Sequence, residues 1–213
     1  MPTRFILVRH GETLANREFR YIGLRDDALS EKGEVQASQL AEALAILPVA
    51  AVYSSPLQRA YQTALPIAAR HKLAVQTIEE LKEVSFGQWE GMSRQEVMVH
   101  SQDYARLLQV WEADPAAAPP EGESLEAARL RIEAVLARLA NKHTEQTVVL
   151  VSHVGPIKLC LCLALGLPLL STSRIFLDPA TISVVDWQIS SPVVRLVNSH
   201  AHLGWSQARW MHK

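Results

Sequence analysis

Phe5-Ile6-Leu7-Val8-Arg9-His10-Gly11-Glu12 is the stretch on which the fold turns. Four apolar residues in a row, too few for a helix, give way at once to Arg, His and Gly, as a short buried strand does when it ends in a turn. The pattern recurs in Ala50-Ala51-Val52-Tyr53, ahead of Ser54-Ser55-Pro56, and in Val148-Val149-Leu150-Val151, ahead of Ser152-His153. Helical spacing follows each run. Ser30 caps a first helix, with Glu31 in its first turn and Ala37, Leu40, Ala41, Leu44 and Leu47 on one face, ending before Pro48. Ser55 as cap and Pro56 at the first helical position open a second, which buries Leu57, Ala60, Ala64, Ile67 and Ala68. A third begins near Gly155-Pro156 and stops at Gly166-Leu167-Pro168.

Strands alternating with helices imply βαβ units and a parallel sheet. Further strands are expected at Arg174-Ile175-Phe176-Leu177, 182–188 and 193–197, some of them antiparallel at an edge, and a long helix at 123–142. The fold class is therefore α/β: a three-layer α/β/α sandwich around a mixed, mostly parallel central sheet. With 213 residues the chain is read as a single domain, 1–213. The formal charge is −1 and no block of Lys or Arg stands out, so nucleic acid is not an expected partner. The apolar start is too short for a signal peptide, which predicts a cytoplasmic protein. The apolar stretch 159–170 has the length of a buried helix rather than of a membrane span. Cys160 and Cys162 lie two apart within it, badly placed to pair with each other, and read as buried thiols.

In an open α/β sheet, ligands bind beyond the carboxyl ends of the strands. Arg9 and His10, Arg59, and Ser152 with His153 should therefore meet at one edge, among helix N-termini with unpaired N–H groups. That is an anion pocket. A phosphate monoester needs its charge neutralised and the attacking atom aligned. Arginine binds phosphate oxygens bidentately and stays charged. A neutral imidazole attacks without adding charge, which assigns His10 as nucleophile and leaves His153 to donate to the transferring group. A carboxyl group must protonate the leaving alkoxide and later take a proton from water. Glu83, in Leu81-Lys82-Glu83-Val84-Ser85-Phe86-Gly87-Gln88-Trp89-Glu90-Gly91, is the candidate, and Glu90 its competitor.

These motifs resemble the histidine phosphatase superfamily, in its phosphoglycerate-mutase-like branch, over nearly the whole chain. Arg9-His10-Gly11-Glu12-Thr13 with Asn16 is similar to the signature around the phosphorylated histidine. Tyr21-Ile22-Gly23, followed by Asp27, Leu29, Ser30 and Gly33, resembles the substrate loop and first helix. Ser54-Ser55-Pro56-Leu57-Gln58-Arg59-Ala60 with Gln62-Thr63-Ala64 resembles the second-arginine segment. Glu83 with Phe86-Gly87 and Trp89-Glu90-Gly91 resembles the acid/base segment, and Val151-Ser152-His153 with Gly155 the second-histidine segment.

The resemblance implies a phosphate pocket of Arg9, His10, Arg59 and His153, with Glu83 as proton donor and acceptor and with Asn16 and the Gly23 backbone on phosphate or substrate. It implies a small phosphorylated metabolite as partner and neither metal nor cofactor. Relatives often have Gln where this chain has Ile22, so a polar contact to substrate is missing. Residues 92–122 are the expected cover, with a helix carrying Val97, Met98, Tyr104, Leu107, Leu108 and Trp111. That segment holds Arg94 and Arg106 but no paired arginines, which favours hydrolysis over mutase-type phosphotransfer. Enzymes of similar layout act on α-ribazole phosphate, phosphoserine or assorted monoesters, and the sequence does not choose among them or set the oligomeric state, a homodimer included. Two rivals are a non-catalytic phosphate-binding module on the same fold and a metallohydrolase built on His200-Ala201-His202, whose spacing puts both rings on one side of a strand. The tail around these histidines is read as a packed terminal segment.

Overall fold

The computed structural model describes residues 1–188 and 191–209. Its strands are β1 (Thr3–Arg9), β2 (Val49–Ser54), β3 (Val75–Thr77), β4 (Thr147–Ser152), β5 (Ile182–Trp187) and β6 (Val193–Ser199). They form one sheet in the order β3-β2-β4-β1-β5-β6. β1, β2, β3 and β4 run parallel, β5 lies antiparallel between β1 and β6, and β6 thus points the same way as the parallel strands. The helices are α1 (Leu14–Arg17), α2 (Glu31–Leu44), α3 (Gln58–Arg70), α4 (Arg94–His100), α5 (Gln102–Ala113), α6 (Leu125–Lys142) and α7 (Val154–Leu165).

Side chains of a strand alternate between faces, and the central strands are apolar on both. Phe5, Leu7, Val148 and Leu150 pack under α6 and α7 with Ile132, Leu136, Leu139, Leu159 and Leu161. Ile6, Val8, Val149 and Val151 face the other way, onto Leu40, Leu44, Ala60, Ala64 and Ile67 of α2 and α3. The result is the three-layer sandwich expected from the sequence. A separate cluster of Trp89, Val97 and Leu108, with Tyr21, Phe86, Met92 and Trp111 against it, joins α4 and α5 to the loops after β1 and β3.

Several elements differ from expectation. Residues 174–177 are not a strand: a 3₁₀ turn covers Leu169–Arg174, and the extended residues after it do not join the sheet. Their backbone is used elsewhere, with the Leu177 carbonyl accepting from Arg9 and the Asp178 N–H donating to the Asn198 side chain. α3 starts at Gln58, so Pro56 precedes the helix and Ser55 is not its cap. Asp26 supplies the acceptor for the Gln58 N–H from across the molecule, at 2.6 Å. Residues 92–122 carry two helices rather than one, because extended backbone at Ser101 ends α4 and the Ser101 side chain caps α5. α2 ends at Leu44, leaving Leu47 beyond it but still packed on the core. His200 and His202 lie past the end of β6, in a turn, not along a strand. β3 and α1 were not foreseen. β3 is too short for periodicity to register, and α1 is set by a reciprocal Thr13–Asn16 capping box.

Candidate active site

The ends of the parallel strands are stitched together before any side chain contributes. The His10 N–H donates to the Ser152 carbonyl at 3.0 Å and the Ser55 N–H to that of Val151 at 2.9 Å. Gly11 lets the loop after β1 lie against the first turn of α2, where an added Cβ would meet the Gly33 carbonyl oxygen at 2.6 Å. Gly11→Ala must push two backbone segments apart and should lower the urea-unfolding free energy by about 1–3 kcal/mol. A loss under roughly 0.5 kcal/mol, within the range of a neutral surface change, would mean that the loop gives way freely.

Arg9, His10, Arg59, Glu83 and His153 are all buried at this edge. Four of them, with Asn16, Ile22 and Gly23, line a pocket of about 290 Å³. His153 stands behind it, its ring 5.1 Å from that of His10 between centroids.

His10 donates from Nδ1 to the Gly11 carbonyl at 2.7 Å. Its Nε2 therefore carries the lone pair. Burial, then Arg59 and Arg9, hold this imidazole well below the usual histidine range, so it is neutral. Arg59 gives Nε to His153 Nδ1, Nη1 to the Arg25 carbonyl and Nη2 to the Gly23 carbonyl. A guanidinium has five N–H donors, so two are left for an anion. Arg9 donates Nη1 to the Leu177 carbonyl at 2.6 Å, while its buried Nε has no partner among the described residues. Burial, with the charge of Arg209 next, lowers Arg9 to about 10, which keeps it protonated at neutral pH. Two buried guanidinium groups with unused donors and no ion pair among the described residues are costly unless an anion joins them.

Glu83 accepts the Val84 and Gly155 N–H groups on one oxygen, Oε1, at 2.9 and 3.0 Å. Burial raises its carboxyl above the ordinary range, against that Val84 bond and the charges of Arg59, Arg9 and Arg131. Glu90, its competitor, accepts from the Leu24 and Phe86 N–H groups and is not on the pocket wall. It braces the Gly23 turn, where φ is +56° and a Cβ would meet the Glu90 carboxylate.

Both ring nitrogens of His153 are occupied, Nδ1 by Arg59 and Nε2 by Ser55 Oγ at 2.8 Å. Because Nδ1 accepts, Nε2 carries the proton and donates to Ser55. Burial, then Arg59 and His10, push this imidazole well below the usual range. Asn16 uses Oδ1 on the Thr13 N–H, leaving its amide nitrogen for the pocket.

Sequence reasoning missed four contributors. Ser55 was read as a cap and orients His153 instead. Thr63 accepts the Gly11 N–H and donates to the Arg59 carbonyl, locking the two halves of the site together. Lys158 lines the pocket, and its spacing of four from Val154, which lines it too, was a legible signal. Arg209 arrives from the tail, its guanidinium over the Phe19 ring and its Nε 3.7 Å from Asp178. No local pattern marked it. The tail histidines are engaged otherwise: His200 bonds to buried Asp178 and His202 to the Ala180 carbonyl. Among the described residues no group of three or more His, Cys, Asp or Glu is arranged to hold a metal, and no helix is long and apolar enough to cross a membrane.

The fold and site thus define an α/β protein in which a neutral histidine, two arginines with unused donors and a buried carboxyl share one pocket. The profile of the histidine phosphatase superfamily (branch 1) matches residues 5–200, and the chain belongs to that family. It is 37% identical over 202 residues to phosphoserine phosphatase 1 of Hydrogenobacter thermophilus, covering 94% of each chain. It is 32% identical over 199 residues to the adenosylcobalamin/alpha-ribazole phosphatase of Escherichia coli, covering 93% of this chain and 97% of that one. Among solved structures, the phosphoserine phosphatase of Entamoeba histolytica in complex with 3-phosphoglyceric acid superposes with a TM-score of 0.84 at 30% identity, over 95% of this chain and 100% of that chain. Phosphoryl transfer through a phosphohistidine is general to the family.

Proposed function

We propose that the protein hydrolyses small phosphate monoesters through a phosphohistidine on His10. The observation that carries this is the His10 tautomer: Nδ1–H is fixed on the Gly11 carbonyl and the free Nε2 belongs to a neutral ring flanked by two arginines with unused donors. Nε2 attacks phosphorus, the P–O bond to the alcohol breaks, and Glu83 gives its proton to the departing oxygen. Water then attacks phosphorus, Glu83 takes the proton, and the P–N bond breaks to release phosphate. Arg9 and Arg59 carry the charge on the transferring oxygens, with the Asn16 amide and the backbone at Gly23 beside them. His153 holds Arg59 through Nδ1, and its own donation to phosphate requires either that Nε2–H leave Ser55 or that Nδ1, once released by Arg59, gain a proton. Residues 92–122 act as the cover, packing through Trp111 on Phe86 and Tyr21.

Incubation with a phosphomonoester should label the protein in an acid-labile, alkali-stable form that vanishes in His10→Ala. Turnover of p-nitrophenyl phosphate should be unaffected by EDTA. Full activity without any label, or loss of activity on chelation, would sink the mechanism. The tail contributes a further cation, Arg209, to the pocket in this scheme. Arg209→Ala should raise KM about 3- to 10-fold with kcat nearly unchanged, since it removes a charged contact made before and during the reaction alike. An unchanged KM would leave Arg209 as packing for Phe19.

A further inference from the structure

A second cavity, of about 430 Å³, adjoins the phosphate pocket and shares Glu83, Phe86, Val154 and Lys158 with it. Given the function proposed above, on which this inference rests, the position of Glu83 fixes what belongs there. The group that protonates the leaving oxygen must stand beside that oxygen, opposite the attacking nitrogen. The rest of the alcohol then extends past Glu83, into this cavity.

Its walls are mainly apolar, with Val84, Phe86, Trp111, Leu125 and Leu170 among them. The polar members are largely committed to the protein itself. Glu112 is held by Arg94 through Nε and Nη2 at 2.6 and 2.9 Å, and the Thr172 and Ser173 hydroxyls donate to the carbonyls of Leu169 and Leu170. One donor is left over toward the cavity among the described residues, the ammonium of Lys158, for which neither a hydrogen bond nor an ion pair is found; Trp111 Nε1 is also unpartnered but is itself buried. Burial and the charge of Arg9 lower the Lys158 amine, while Glu83 opposes this. Apolar walls with one spare donor and no spare carboxylate except Glu83 fit an apolar ring system carrying an acceptor. They do not fit an ammonium group, which would face Lys158, Arg9 and Arg59 with Glu83 alone to offset three positive charges.

We propose that this cavity is the leaving-group subsite and that it selects monoesters of alcohols with a large, apolar, aromatic body, against those bearing a free amine such as O-phosphoserine.

Ethyl phosphate, 2-naphthylmethyl phosphate and O-phosphoserine all release primary alcohols, so their comparison isolates recognition from leaving-group chemistry. Burying a bicyclic ring should make kcat/KM for the naphthylmethyl ester about 30-fold or more above that for ethyl phosphate. O-phosphoserine should do no better than ethyl phosphate. Ser173 is exposed at the rim of the cavity and outside the reaction pocket. Ser173→Trp should fill the cavity, cutting the naphthylmethyl preference about tenfold while ethyl phosphate stays within twofold. Trp111→Ala should act in the same direction by removing a wall. O-phosphoserine preferred over the naphthylmethyl ester, or equal losses on both esters in Ser173→Trp, would overturn the subsite. Hydrolysis of all three esters without preference would overturn it too, yet leave the phosphatase reading intact. Hydrolysis of none, with no labelling of His10, would remove both.

Discussion

His10→Ala should lower kcat for every monoester by about 10,000-fold or more, because it removes the atom that forms the covalent intermediate rather than one of several that support it. The ring is used at both nitrogens: Nδ1–H on the Gly11 carbonyl sets its orientation, and Nε2 attacks. The anion pocket does not depend on it. Arg9 is held by the Leu177 carbonyl, and Arg59 by the carbonyls of Gly23 and Arg25 and by His153. The variant should thus bind inorganic phosphate or vanadate within a few-fold of the parent while forming no phosphoenzyme. Equal loss of binding and turnover would indicate a collapsed site, and retained turnover would show that another group attacks.

The second large effect is expected from Glu83→Gln. The amide keeps an acceptor for the Val84 and Gly155 N–H groups that fix Oε1, so the side chain stays in place and only its proton is lost. With ethyl phosphate, whose alkoxide must be protonated to leave, kcat should fall by about 100- to 10,000-fold. With p-nitrophenyl phosphate the leaving group departs unaided. The first step should then be nearly intact and the second slow, giving a burst of one nitrophenolate per site before slow turnover. A uniform loss on both substrates with no burst would count against Glu83 as the proton carrier.

The pH dependence follows from the same two groups. His10 attacks when neutral, so kcat rises with pH through its lowered pKa, on the acid side of the normal histidine range. Glu83 donates when protonated, so kcat falls as pH rises through its raised pKa, above the normal carboxylate range. For ethyl phosphate this gives a bell-shaped profile. Glu83→Gln should retain the acid limb and lose the alkaline one.

Much of the candidate site was legible because it hangs on strand ends. Arg9 and Ser152 end β1 and β4, His10 and His153 come next, and parallel strands end at one edge. The choice between Glu83 and Glu90 was open to residue chemistry alone, since both lie in one irregular stretch. Tertiary structure separates them by what reaches back from elsewhere: Gly155, 72 residues away, binds Glu83, while the Gly23 turn claims Glu90. Ser55 shows the converse error. Its Ser-Pro context signals a helix start, yet the hydroxyl is held by His153, 98 residues on, and Asp26 takes over at the helix.

By itself the sequence determined the layered fold and the edge at which charge would gather. Short apolar runs and helical spacing are set by neighbours a few residues away, and those are readable in order along the chain. Only the tertiary structure decided which donors stay unused at Arg9, Arg59 and Lys158, that Arg209 joins the pocket from the tail, and that an apolar cavity opens beyond Glu83. These depend on how distant segments close on one another. A donor left over is defined by every partner that does not reach it, and no local pattern records that.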